Sequence, residues 1–265
     1  MVYTLRSGRS GRKVVLVQVQ SRAPNNKEGE TMYNCVLVGY GEIGKSVFET
    51  FSKFHDIAVH DLDKGKDATK KVTNTDILLV AIPFSNDFVD IIKEYQEKFR
   101  PGTTIIFSTI PIGTCALLGA VHCPVEGKHP NLAKSIRETD KWLGGESECA
   151  KTFLTEAGFK VIEVEKPDYT EFLKMQSTTN YGLMIEYARY VGACCDQIGL
   201  DYELVKKFNG WYNTLYADVL VMPGIKRYIL DVPTGDIGGH CVVPNAKLLD
   251  DIFPSPLLKE IYRKK

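Results

Sequence analysis

The sequence predicts an α/β fold, a doubly wound parallel sheet followed by an all-helical domain. Three observations predict it. From residue 36 to residue 164, short apolar runs of the kind found in strands buried on both faces alternate with stretches of helical periodicity. The first run, Val36-Leu-Val38, passes directly into Gly39-x-Gly41-x-x-Gly44 and then into a helical pattern. At Pro167 the alternation stops, and from 168 to about 198 there is no proline and only two glycines, Gly182 and Gly192. The expected organisation is an N-terminal extension over 1–31, a dinucleotide-binding Rossmann domain over 32–166, and a helical substrate or dimerisation domain over 167–265.

Each glycine of the first turn has a physical task. Gly39 makes the tight turn off the strand, Gly41 lets a pyrophosphate approach the backbone, and Gly44 lets helix and strand pack closely. Gly39, Tyr40, Gly41, Glu42, Ile43 and Gly44 are therefore candidate cofactor-binding residues, the pyrophosphate resting on N–H groups at the positive end of the helix. Such a turn alone is weak, because glycine-rich turns also occur with no ligand. Here Ile43, Val47, Phe51 and Phe54 give the following helix an apolar face. The next strand, over 57–60, ends at Asp61, about twenty residues past the turn as the fingerprint requires. An acid there accepts from both ribose hydroxyls and repels a 2′-phosphate, which favours NAD over NADP. Lys64 and Lys66 just beyond it weigh slightly the other way.

The remaining elements follow in order. Residues 76–83 read as a buried strand ended by Pro83. Residues 88–99 read as a helix with Phe88, Ile91, Ile92 and Tyr95 on one side, and Pro101-Gly102 turns the chain into a strand over 103–107. A short strand is expected over 121–123, then strands over 141–145 and 160–164 with a helix over 148–158 between them. Strands alternating with helices imply right-handed crossovers. Beyond Pro167, the residues Phe172, Met175, Tyr181, Met184, Ile185, Ala188 and Val191 fit a long helix packed on more than one side. Shorter helices are expected over 201–208 and 212–221, then a loop at Met222-Pro-Gly224.

Composition narrows the function classes. The chain has 265 residues, 44% hydrophobic and 25% charged, with a formal net charge of zero, so neither nucleic acid nor an anionic membrane is an expected partner. There is no apolar run long enough for a membrane span. The seven cysteines form no C-x-x-C and the five histidines no i, i+4 pair, so no metal site is expected. Reduced thiols in a cytoplasmic protein are the simplest reading. Residues 1–31 carry six basic residues before the first acid, Glu28. They read either as an organellar transit peptide or as an extended N-terminus ahead of Met32, and no function is assigned to them.

Ligands of an open α/β sheet lie beyond the carboxyl ends of its strands. Pro83, the segment Ser108-Thr109-Ile-Pro-Ile-Gly-Thr114 and Cys123-Pro-Val-Glu126 fall there, so Pro83, Ser108 and Thr109 are candidate cofactor contacts. Lys174 sits on an otherwise apolar helical stretch one turn before Ser177 and Thr178. In a partly dry cleft it could act as a base or as a fixed cation beside a developing alkoxide. The plainer reading is a lysine reaching from a helix edge to water. Cys241 follows Gly238, Gly239 and His240, where close backbone approach and loop N–H groups suit a thiolate nucleophile. Its plainer reading is an inert thiol in a tight loop. The vicinal pair Cys194 and Cys195 reads as core filling.

The pieces GYGEIG, DILLVAIP, STIPIGT, EFLK and GGHC, in this order, resemble the UDP-glucose/GDP-mannose dehydrogenase family, over about 32–250. More broadly the layout is similar to the 6-phosphogluconate and 3-hydroxyisobutyrate dehydrogenases. The resemblance implies a four-electron oxidation of a sugar primary alcohol to a carboxylate with NAD. Cys241 would form the thiohemiacetal and thioester, and Lys174 would stabilise the oxyanion. Thr109 would help hold water or substrate, and Glu126 would be a base for thioester hydrolysis. Lys174, Thr178, Asn180, Gly238, Gly239 and His240 would contact substrate. The chain departs from the family in having Thr178 rather than Asn four residues after Lys174, with Asn180 two further on. Asn245 stands where an acid is usual, and Glu126 is displaced by one position from the family's Pro-Glu. Those dehydrogenases also continue into a further nucleotide-binding domain, whereas 24 residues follow Cys241.

Three readings follow. The first is an NAD-dependent oxidoreductase acting on a CH–OH group of a small hydroxylated substrate such as a sugar or sugar nucleotide. The second is a two-electron hydroxyacid or sugar-acid dehydrogenase with Lys174 central. The third is a non-catalytic NAD-binding or assembly protein. A homodimer through the long helix, with Tyr181, Tyr187 and Tyr190 buried against a second copy, is expected; the plainer reading of those tyrosines is packing within the chain.

Overall fold

The computed structural model describes residues 15–17, 32–61, 74–127, 131–237 and 241–263. Backbone contacts divide the chain into two units, Met1–Lys174 and Met175–Lys265.

The first unit is built on β1 (Val15–Val17), β2 (Asn34–Val38), α1 (Glu42–Phe51), β3 (Asp56–Asp61), β4 (Ile77–Val80), α2 (Phe88–Phe99), β5 (Thr103–Ile106), α3 (Thr114–Leu118), β6 (Val121–His122), α4 (Leu132–Glu138), β7 (Lys141–Gly144), α5 (Glu148–Glu156) and β8 (Val161–Val164). The sheet order is β1-β3-β2-β4-β5-β6-β7-β8. The switch between β3 and β4 on either side of β2 is the doubly wound arrangement, and it opens a crevice at the carboxyl end of β2. Pairing is parallel except at two places. β1 adds to β3 as an antiparallel edge, and β6 meets β7 antiparallel through His122 and Gly144. An antiparallel pair needs no full helical crossover, and α4 between those strands is only seven residues long.

The strands read as unbroken apolar runs because helices cover both faces. Leu37, Val59, Leu79 and Ile105 point to one side, where Phe51 of α1 and Phe153 of α5 meet with ring centroids 4.9 Å apart. Val36, Val38, Leu78, Val80 and Ile106 point to the other, against Phe88, Ile92 and Tyr95 of α2. Burying each such side chain contributes about 1.5–3 kcal/mol. Lys141, at the start of β7, is buried as well. Its ammonium donates to the Ile136 carbonyl and to the Thr139 carbonyl at 2.6 Å, closing the C-terminus of α4. Burial pushes its pKa down to about 8.

The second unit takes up α6 (Pro167–Ile198) from Met175 onward, then α7 (Tyr202–Thr214), a π-helical turn (Leu215–Val219), a 3₁₀ turn (Pro223–Ile225), α8 (Val242–Ile252) and α9 (Pro256–Tyr262). The long helix starts at the proline that ends the strand–helix alternation, as proline at a first helical position allows. The two glycines inside it are contact points. A Cβ on Gly182 would come within 2.6 Å of Val242 of α8, and one on Gly192 within 2.7 Å of Val232. The two short helices expected over 201–221 are one helix, α7, that runs through Gly210 and ends in the π turn. Phe172 and Tyr181, expected in the packed face of the long helix, are 41% and 43% exposed, whereas Met175 and Ala188 are buried.

Candidate functional site

The glycine-rich turn is held by the end of the neighbouring strand. Gly39 has φ of +96°, and its N–H donates to the His60 carbonyl at 2.7 Å. A Cβ there would fall 2.5 Å from the Ala81 carbonyl oxygen, and one on Gly44 would overlap the Gly39 carbonyl. Both glycines are thus required by the fold itself. Gly41 differs: it caps α1 with φ of −68°, and a Cβ on it would meet nothing within 4 Å. The chain's own atoms give no reason for glycine at 41; a ligand approaching the backbone would.

Asp61 closes the constellation. Its carboxylate lies at the carboxyl end of β3 and accepts the Tyr40 backbone N–H at 2.5 Å. The acid expected to hold ribose hydroxyls is therefore fixed to the turn expected to hold the pyrophosphate. The residues fit a dinucleotide on two further observations. Glu42 and Ile43 open α1 beside Gly41, where N–H groups lack intrahelical acceptors. Ser108, 3% exposed at the end of β5, has a hydroxyl with no hydrogen-bond partner among the described residues. Pro83 is exposed beyond β4, and Thr109 is half-buried beside Ser108.

Lys174 and Glu126, 48 residues apart in sequence, meet. The Lys174 ammonium donates to the Val125 carbonyl at 2.7 Å and lies 3.3 Å from the Glu126 carboxylate. The lysine side chain is 16% exposed and the glutamate 47%. The cation is thus largely withdrawn from water and oriented, which is what a fixed positive charge beside a reacting oxygen needs.

Three residues outside the expected site hold this region. Glu171, fully buried on the first turns of α6, accepts the Gly113 N–H at 2.6 Å and the Cys115 N–H at 2.8 Å. It serves as the cap that α3 lacks locally, and burial raises its pKa. His122 is fully buried between the Ser108 carbonyl, 3.1 Å from Nε2, and the Thr170 hydroxyl, 2.9 Å from Nδ1. Burial pushes its pKa down to about 4, so it is neutral. The Thr170 hydroxyl also lies 2.9 Å from the Pro167 carbonyl, which ties His122 to the first turn of α6. Glu171, His122 and Thr170 thereby tie the helical turn before Lys174 to the segment carrying Ser108 and Thr109. Glu171 opens the EFLK piece, but no pattern in residue type marks it as buried.

In the second unit, Thr178 is half-buried and Asn180 exposed on α6, the latter 3.4 Å from the Tyr228 hydroxyl. Cys241 is exposed and caps the N-terminus of α8. Asn245 is buried one turn later. Gly238, Gly239 and His240 lie outside the described residues, as do Lys64 and Lys66 and nearly all of 1–31. All seven cysteines are free thiols; Cys195 is buried and Cys194 half-buried. No helix among the described residues is long and apolar enough to cross a membrane.

No family model and no curated protein matches the chain. Solved structures do. A UDP-glucose dehydrogenase from the hyperthermophilic archaeon Pyrobaculum islandicum superposes with a TM-score of 0.68 at 15% identity, over 90% of this chain and 69% of that one. A UDP-D-ManNAc dehydrogenase from Pyrococcus horikoshii gives 0.65 at 14% identity, over 87% and 67%. A 3-hydroxyisobutyrate dehydrogenase from Mycobacterium tuberculosis gives 0.62 at 14% identity, over 87% of this chain and 91% of that one. The chain thus spans about two-thirds of the two nucleotide-sugar enzymes and about nine-tenths of the hydroxyacid enzyme. At this identity the likeness is one of fold: the chain has the Rossmann-type sheet followed by a helical region that these dehydrogenases share.

Proposed function

We propose that the chain is an NAD-dependent oxidoreductase acting on the CH–OH group of a small hydroxylated substrate, a sugar or sugar nucleotide. The observation that carries this reading is the contact of Asp61 with the Tyr40 N–H, which joins the ribose-binding acid to the phosphate-binding turn. Gly39, Tyr40, Gly41, Glu42, Ile43 and Gly44 would hold the pyrophosphate, Asp61 the ribose, and Pro83, Ser108 and Thr109 would lie along the nicotinamide. The cofactor, when bound, supplies a hydride acceptor.

The protein's own groups then have defined tasks. Lys174, oriented by Val125 and Glu126, would stabilise negative charge on the alcohol oxygen as its proton leaves. Thr109 would help hold water or substrate, and Thr178 and Asn180 would contact the sugar. Cys241 Sγ would attack an aldehyde carbon, forming an S–C bond while the carbonyl oxygen takes up a proton. Loss of a second hydride, to a second NAD, and of the hydroxyl proton would turn that thiohemiacetal into a thioester. Water would open it with release of the Cys241 thiolate and passage of the water's proton to Glu126. The likeness to UDP-glucose and UDP-D-ManNAc dehydrogenases supports this four-electron scheme. A second copy would cover the aromatic side of α6, where Tyr187 and Tyr190 are 62% and 66% exposed.

The match over nine-tenths of a 3-hydroxyisobutyrate dehydrogenase favours a second reading, a single hydride transfer with Lys174 central and Cys241 uninvolved. Product stoichiometry over a panel of UDP-sugars, GDP-sugars, sugar phosphates and hydroxyacids separates them: two NADH per substrate against one. In either scheme Lys174→Met lowers kcat by about 10²–10³ and leaves NADH affinity unchanged. A Lys174→Met enzyme with wild-type turnover refutes both.

A further inference from the structure

The second unit contains an arrangement that none of the assigned roles uses. Residues 226–235 follow the 3₁₀ turn without regular secondary structure, and their carbonyls are gripped by side chains from two helices. On α7, Asn213 forms a reciprocal pair with Arg227, donating to its carbonyl at 2.8 Å and accepting its N–H at 2.7 Å. Tyr202 donates to the Leu230 carbonyl at 3.3 Å, and Lys206 meets the Asp231 carboxylate at 2.6 Å.

The last grip comes from α6. The Arg189 guanidinium donates to the Gly235 carbonyl at 2.6 Å and to the Pro233 carbonyl at 3.2 Å. Its Nε faces the Glu186 carboxylate at 3.2 Å, and the two side chains are 21% and 10% exposed. One turn along α6, Gly192 admits Val232 at a distance no Cβ would allow. Gly235 then turns with φ of +73°. The planar guanidinium fork suits two carbonyls at once, and a carboxylate behind it fixes its plane. Arg189 and Gly192 therefore fix both position and direction of the backbone six residues before Cys241.

We infer that Arg189, held by Glu186, is a positioning residue for Cys241: it anchors the strap over 226–235 so that the chain departs from Gly235 toward Cys241 at one place and in one direction. The chemical consequence rests on the nucleophile role proposed for Cys241; the anchoring does not.

The test uses the full chain with Cys149 and Cys194 replaced by serine and a nitroxide on Cys241. Amide exchange is followed in parallel on the unlabelled protein, and thermal midpoints report whether each variant folds. Arg189→Met removes the fork and keeps the stem. It should speed exchange of the amides over 232–237 by about tenfold and sharpen the nitroxide spectrum, with exchange in α1 and α5 unchanged. Arg189→Lys, which can reach one carbonyl but not fork across two, should fall between Arg189→Met and wild type. Glu186→Gln should shift both signals the same way. Wild-type exchange over 232–237 in Arg189→Met overturns the inference, as does faster exchange with an unaltered nitroxide spectrum. Should Arg189→Met fail to fold, Arg189→Lys and Glu186→Gln decide by the same two signals. NADH titration of the same samples is independent: its absence defeats the proposed function and leaves the anchoring result standing.

Discussion

The Asp61 carboxylate and the Tyr40 backbone N–H lie 2.5 Å apart, so the tip of β3 and the glycine-rich turn after β2 form one rigid piece. A carboxylate bonded to an N–H is held in one orientation. Replacing Asp61 with Asn keeps an acceptor and removes the charge. Asp61→Asn should weaken NADH binding by about tenfold while raising the relative affinity for NADPH. Parallel titrations with the two reduced cofactors measure this, and an unchanged NADH-to-NADPH ratio speaks against a ribose role for Asp61.

Gly41 and Gly44 separate ligand requirements from fold requirements. A Cβ at 41 meets no protein atom within 4 Å, whereas one at 44 overlaps the Gly39 carbonyl. Gly41→Ala should leave stability within about 0.5 kcal/mol of wild type yet lower dinucleotide affinity. Gly44→Ala should destabilise by about 2 kcal/mol or more. Urea unfolding and NADH titration on both variants give the four values needed.

His60 sits on β3 with neither ring nitrogen hydrogen-bonded among the described residues, packed on Phe99 at 4.9 Å and Tyr95 at 5.8 Å. Burial lowers its pKa to about 3 from the ordinary 6.5. Between those values the unfolded chain binds more protons than the folded one, so stability falls as pH falls. Lowering pH from 7.5 to 5 should cost about 2 kcal/mol through this residue. The loss should be smaller in His60→Leu, which should also be more stable at neutral pH because it removes an unsatisfied polar ring. Urea unfolding of both proteins at the two pH values measures the difference.

Glu171 is a buried carboxylate that accepts two backbone N–H groups across 56 and 58 residues of sequence. Glu171→Ala strands both donors and should cost about 3 kcal/mol. Glu171→Gln keeps one acceptor and should cost less. Since Glu171 anchors the segment carrying Ser108 and Thr109, both variants should also raise the NADH dissociation constant. Unfolding and binding curves that move independently would separate the two roles.

What could be read from the sequence depended on how local its cause is. The strands of the first unit were legible because helices on both faces demand unbroken apolar runs such as Val36 to Val38 and Ile77 to Val80. The long helix was legible from its missing prolines, and the turn at Gly39 and Gly44 from steric needs that no other residue meets. The antiparallel step at His122 and Gly144 was not, since a two-residue strand carries no direction in its pattern. Nor were the grips of Glu171 on Gly113 and of Arg189 on Gly235. A backbone N–H or carbonyl leaves no trace in residue type, so a side chain that binds one far along the chain has no period to betray it. The helix break expected near 209–211 was absent because a single glycine, Gly210, costs only about 1 kcal/mol in a helix.

Fluorescence titration of the purified chain with NADH addresses the central claim most directly. Saturable binding that weakens in Gly41→Ala and Asp61→Asn is the expected result. A chain that binds neither NADH nor NADPH, while remaining folded by its thermal transition, would contradict it.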